Sequence, residues 1–125
     1  SSEEFGKKGH VSLAVWGARL LIESGMIMPA DIEIPSCPTG RKSLQKVYEG
    51  IKILFQVRWA YSRTKGNPVT MGRKFIAAWC GVSEDVARDA IKDLLKGEVI
   101  HTAGMHGRAK TFGLGGKKAV KQKGK

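Results

Sequence analysis

Cysteine is scarce in this chain. Only Cys37 and Cys80 occur among 125 residues, far apart and in no metal-type pair. That spacing excludes a disulfide framework and a thiolate zinc site. Cys80 ends an apolar segment and reads as a buried free thiol. His10, His101 and His106 also lack ligand spacing, so no metal is expected. A long uninterrupted apolar run is missing too. Val11 to Met28 is interrupted by Arg19, Glu23 and two glycines, which makes it a poor membrane span, and without a cleavage pattern a poor signal peptide. The expected setting is therefore intracellular, cytoplasmic or nucleoid-associated, with no membrane partner.

Chemistry is equally sparse. No nucleophile and base pair by spacing, and no cofactor fingerprint appears. The run Gly113-Leu114-Gly115-Gly116-Lys117-Lys118 looks like a phosphate loop only at first sight, because its spacing is wrong and no Ser or Thr follows the lysine. Asp85, Asp89 and Asp93 share a helix face but alternate with Arg88, Lys92 and Lys96, the pattern of a solvated face with local ion pairs. The chain is read as a binding protein rather than an enzyme, with no cofactor and no small-molecule ligand.

Acidic residues are outnumbered two to one. With 22 Lys and Arg against 11 Asp and Glu the net charge is +11, and it is unevenly spread. Residues 1–40 carry three basic and five acidic side chains, for −2, which leaves +13 on residues 41–125. A field of that size attracts polyanions and implies strong salt dependence.

The segment Phe75 to Leu95 reads as two helices joined by Gly81-Val82-Ser83. Gly81 can take the left-handed conformation that ends a helix, and Ser83 can cap the next one, with Glu84 and Asp85 at its positive end. Ile76, Ala77 and Val82 are then expected to meet Val86, Ala90 and Ile91, the small Ala77, Ala78, Ala87 and Ala90 allowing close approach. Leu44 to Ser62 supplies a preceding helix by its apolar spacing, in which Gly50 costs about 1 kcal/mol relative to alanine unless packing offsets it. Residues 63–69 form a turn-rich linker, with Thr70 as cap of a helix starting at Met71. Val99–Ala103 and Lys110–Leu114 read as strands of a hairpin joined by the basic loop Gly104–Ala109.

Carried by Ala77, Gly81-Val82-Ser83, Val86, Arg88, Ala90-Ile91, Leu94 and Val99-Ile100, this pattern resembles the helix-turn-helix of winged-helix proteins. The likeness is to the GntR and MarR regulators and the winged-helix modules of phage and plasmid replication proteins. It covers roughly half the chain. One departure is visible: Gly97 comes one residue before the slot where the family places glycine, and Glu98 fills that slot. The resemblance implies a mainly α fold with a small β-hairpin wing, a three-helix core over residues 41–114 preceded by an N-terminal helical arm over residues 1–40. It also implies a second motif helix that reads double-stranded DNA and a hairpin that touches its backbone. The expected DNA contacts are Arg73, Lys74, Ser83, Arg88, Lys92, His106, Arg108 and Lys110. The second motif helix has a slightly acidic sum, so an assembly module touching DNA or RNA only diffusely is the competing reading.

Before the core, residues 12–24 read as a helix stopped by Gly25, apolar nearly all round and therefore in need of cover. A second copy of the chain is the expected cover, giving a two-fold dimer. Met26 to Ile34 reads as an extended strand and residues 35–40 as a linker. Residues 115–125 read as a basic tether without an apolar pattern.

Overall fold

The computed structural model describes residues 12–28, 33–38, 40–62 and 68–116. Among them four helices and one small sheet follow in the order α1 (Leu13–Glu23), α2 (Lys42–Ser62), β1 (Val69–Thr70), α3 (Arg73–Cys80), α4 (Glu84–Lys96), β2 (Ile100–His106) and β3 (Ala109–Leu114). The sheet is antiparallel with spatial order β1-β3-β2. The fold is thus mixed α/β, as expected. The basic tail beyond Gly116 and the centre of the linker before β1 lie outside the described residues.

The helix ends follow from three versions of one loop. After α3, Gly81 sits at φ 74 and ψ 41, and the amides of Gly81 and Val82 both donate to the Ala77 carbonyl, at 2.8 and 3.0 Å. Ser83 is extended, and its Oγ accepts from the Val86 amide at 3.1 Å to start α4. After α1, Gly25 at φ 85 donates to Ile22 and Met26 donates to Leu21. After α4 the pattern recurs, with Val99 donating to Leu94 at 2.9 Å and Glu98 to Leu95 at 3.1 Å. Here, however, the left-handed residue is Glu98 at φ 59, while Gly97 has φ −82. Gly97 is glycine for a different reason: a Cβ there would lie 2.7 Å from Pro38 Cγ. The close approach of residue 38 uses the glycine, and the helix exit is left with a strained glutamate. Glu98→Gly is therefore expected to stabilise the protein by about 0.5–1 kcal/mol, relief of the strained φ exceeding the added flexibility of the unfolded chain. Denaturant midpoints of the two proteins check it, and a less stable variant would contradict it.

One face each of α2, α3 and α4 meets in a common core. Val47, Ile51 and Phe55 of α2 pack with Ile76 of α3, Ala87, Ala90 and Leu94 of α4, and Phe112 of β3. Phe55 and Trp59 meet edge to face with centroids 5.1 Å apart. Each fully buried Ile or Leu stabilises this core by roughly 1.5–3 kcal/mol relative to exposure. Ala77, Ala87 and Ala90 are buried where α3 and α4 touch, but Ala78 points to solvent, since it falls on the opposite side of α3. Cys80 is fully buried, and that burial pushes its thiol up to about 12, with Lys46 pulling weakly the other way. It is a core thiol, neutral at physiological pH.

Four local expectations fail. Val69 and Thr70 are not linker and cap: they pair with Phe112 and Thr111 to add a third strand, and the Met71 amide donates to the Lys110 carbonyl. Helix α3 consequently starts two residues later, at Arg73, preceded by Gly72, which offers no side-chain cap. The hairpin loop is shorter than Gly104–Ala109, because a register shift between Thr102 and Gly104 absorbs one residue and pairing resumes to His106–Ala109. Only Gly107, at φ 64, and Arg108 form the turn, as a two-residue hairpin with glycine in the first central position allows. Finally, no strand forms in the described parts of residues 26–34, because Met26 and Ile27 both turn back to the Leu21 carbonyl.

The arm lies on the core. Val15 and Ala18 of α1 pack on Ile53, Val57 and Trp79, and Arg19 pairs with Glu49 of α2 at 3.1 Å. Ser12 Oγ accepts from the Val15 amide at 3.0 Å and donates to the Trp79 carbonyl at the end of α3. Tyr48 donates to the Pro35 carbonyl at 2.8 Å. Only one stripe of α1 is covered in this way, and Leu13, Leu20, Leu21, Met26 and Met28 stay exposed.

Candidate nucleic-acid interface

Helix α4 turns Ala87, Ala90 and Leu94 into the core, which directs Glu84, Asp85, Arg88, Asp89, Lys92 and Lys96 to solvent. The carboxylates of this helix are all paired. Arg88 is held between Asp85 at 3.5 Å and Asp89 at 3.2 Å. Arg73, on the first turn of α3, reaches across the Gly81 turn to Glu84 at 3.4 Å. Arg41, just before α2, reaches Asp93 at 3.1 Å across 52 residues of sequence. Each pair is solvent-exposed and contributes at most about 1 kcal/mol to stability, so all can be exchanged for phosphate at little cost. Of the six acidic residues after residue 40, four lie on α4 and one at its exit. The long-range attraction for a polyanion therefore arises elsewhere in the chain.

No known protein family, curated protein or solved structure matches this chain.

The sequence-predicted contacts fall into two groups. Arg73, Lys74, Ser83, Arg88 and Lys92 lie on or beside the helix-turn-helix, all exposed. Ser83 Oγ is already the cap of α4, so it fixes the helix start whatever else it touches. His106, Arg108 and Lys110 belong to the hairpin, also exposed, with His106 and Lys110 on the strands and Arg108 alone in the turn. The seven residues of β2 carry that tip roughly 20 Å from the end of α4, at about 3.3 Å per residue. The hairpin is anchored at its base, where His101 Nδ1 donates to the Gly115 carbonyl at 2.9 Å and the ring covers Gly113, leaving no room for a Cβ there.

Sequence reasoning did not select Arg41, Ser43 or Lys96. These residues join Lys92, Asp89 and Asp93 around an open groove of about 350 Å³ between the start of α2 and the outer face of α4. The available signal was the i, i+4 spacing of Lys92 and Lys96. The contribution of Arg41 depends on tertiary packing, which local spacing does not report. Among the described residues no group of three His, Cys, Asp or Glu side chains is placed to hold a metal, and no helix is long and apolar enough to cross a membrane.

Proposed function

We propose that this chain is a winged-helix DNA-binding protein acting in transcription regulation or in the replication of a mobile genetic element. The observation that carries the reading is the order α2–β1–α3–α4–β2–β3, with a left-handed glycine turn between α3 and α4 and a sheet in which β3 lies between β1 and β2. The +13 charge of residues 41–125 supports it. In this reading α4 enters the major groove, Arg88 and Lys92 face base edges, Arg73, Lys74 and Ser83 flank the entry, and His106, Arg108 and Lys110 bring the wing to the backbone or adjacent minor groove. Arg88 exchanges its two carboxylates for a guanine edge when it binds.

Selection of bound fragments from random duplex and single-stranded pools tests this directly. Against a selected duplex, Arg88→Ala and Lys92→Ala are each expected to lose about 1–3 kcal/mol of binding and to relax preference at one position. Unchanged affinity in both variants would remove α4 as the reader.

A second reading draws support from the self-neutralised Arg88 and from the bare apolar side of α1. In it, the same fold is an assembly module that touches DNA or RNA only diffusely. Duplex binding that persists at physiological salt and discriminates between sequences favours the first reading.

Leu13, Leu20 and Leu21 are 68, 42 and 40 % exposed on one side of α1, and the proposed cover is the same helix of a second copy. Two recognition helices would then face successive turns of one duplex. Sedimentation equilibrium is expected to give a dimer that Leu20→Lys dissociates. A parent protein monomeric at high micromolar concentration would end the dimer proposal.

A further inference from the structure

We propose that the groove between the start of α2 and the outer face of α4 is a phosphate site for the nucleic-acid backbone, formed by Arg41, Ser43, Lys92 and Lys96. The proposal rests on the duplex-binding reading and adds to it a contact contributed by α2.

Three cations and a hydroxyl from two elements converge on this groove, facing two carboxylates that are already engaged. Asp93 is taken by Arg41 at 3.1 Å and Asp89 by Arg88 at 3.2 Å. Lys92 and Lys96 have no ion pair among the described residues and stand one helical turn apart, where like charges repel. A bound anion between them removes that repulsion.

Arg41 is held ready for such an anion. Its Nε donates to Ser43 Oγ at 3.3 Å and its Nη2 to Asp93 Oδ2 at 3.1 Å. These two contacts occupy Nε and Nη2 and leave the Nη1 donors for a phosphate oxygen, and a phosphate that displaced Asp93 would also gain Nη2 and so the two-nitrogen fork. Lys92 belongs both to this groove and to the expected reading face, and Asp89 on the groove wall pairs with Arg88, so a duplex approaching that face brings its backbone within reach of the groove. An exposed arginine paired with a carboxylate is ordinarily a weak surface ion pair. What distinguishes this one is the unpaired lysine pair on the opposite wall.

The test is the salt dependence of duplex binding by the full chain, followed by fluorescence anisotropy. Arg41→Ala and Lys96→Ala are each expected to make the slope of log K against log salt shallower by about 0.9, as loss of one phosphate contact does. Lys52→Ala is the charge-matched control. Its Nζ lies 3.7 Å from Glu49, the partner of Arg19, and so on the α1 side of α2. If all three variants change the slope equally, bulk charge explains the effect and the groove proposal fails while DNA binding stands. If the parent binds no duplex, both fail. Titration with inorganic phosphate at fixed ionic strength, read by the amide resonances of Ser43 and Lys96, separates the two sources of phosphate. Saturation by phosphate without any response to duplex would overturn the backbone assignment.

Discussion

Gly50→Ala is expected to destabilise the protein by about 2 kcal/mol, although alanine is the better helix former. Gly50 lies in the middle of α2 at the point where α1 and α3 both come against it. A Cβ there would stand 2.4 Å from Cys80 Sγ and 3.4 Å from both Trp79 Cδ1 and Val15 Cγ2. The indole of Trp79 fixes the separation by donating to the Gly50 carbonyl at 2.8 Å. Forcing a methyl group into a packed core costs about 1–3 kcal/mol and here falls at the upper end, because the nearest atom belongs to a short, fully buried side chain. The gain in helix propensity returns about 1 kcal/mol. Cys80→Ala opens the space again. In a double-mutant cycle the two substitutions together should therefore cost less than their sum, with a coupling of about 1–2 kcal/mol. Additive losses, or a Gly50→Ala protein as stable as the parent, would show that the helices do not meet there.

Gly81→Val is expected to be more damaging, at about 3 kcal/mol, against about 1 kcal/mol for Gly81→Asn. The residue sits at φ 74, where asparagine is tolerated and a β-branched side chain is not. A Cβ would also meet Ser12 Cβ at 3.0 Å, a contact common to both variants, so the difference between them isolates the backbone. The turn is braced as well by Lys46, whose Nζ donates to the Gly81 carbonyl at 3.3 Å and places a cation at the end of α3. Thermal unfolding of the two variants side by side measures the gap. Equal stability would remove the positive φ as the reason for glycine.

Signals that act within a few residues were legible in the sequence. Gly81-Val82-Ser83 specifies a helix stop and a helix start by local hydrogen bonding, and Gly25 ends α1 in the same way. Apolar spacing located α1, α2 and α4 to within one or two residues. The misses share a cause, which is that the deciding partner is distant. Val69 and Thr70 are a strand only because β3 offers them an edge, and two residues carry no periodicity. Gly97 looks like a helix terminator until Pro38 is seen beside it. The local pairing expected on α4 holds for Arg88 with Asp85 and Asp89 but not for Lys92 and Lys96, and Arg41 was invisible as a member of the candidate site because it reaches Asp93 from just before another helix, 52 residues away in sequence. Why β2 shifts register between Thr102 and Gly104 has no evident cause in the neighbouring residues.

The hydroxyl of Ser12 has a further consequence. It caps α1 and at the same time occupies the Trp79 carbonyl at the end of α3, beside the Gly81 turn. Lifting α1 away would uncap its own first turn, strip a partner from Trp79 and uncover Ile53 in one step. Helix α1 therefore does not open independently of the helices it covers. Its amides should exchange with solvent through the same opening event as those of the helix-turn-helix, so that the two behave as one cooperative unit and anything that clamps α1 also slows the opening of the turn.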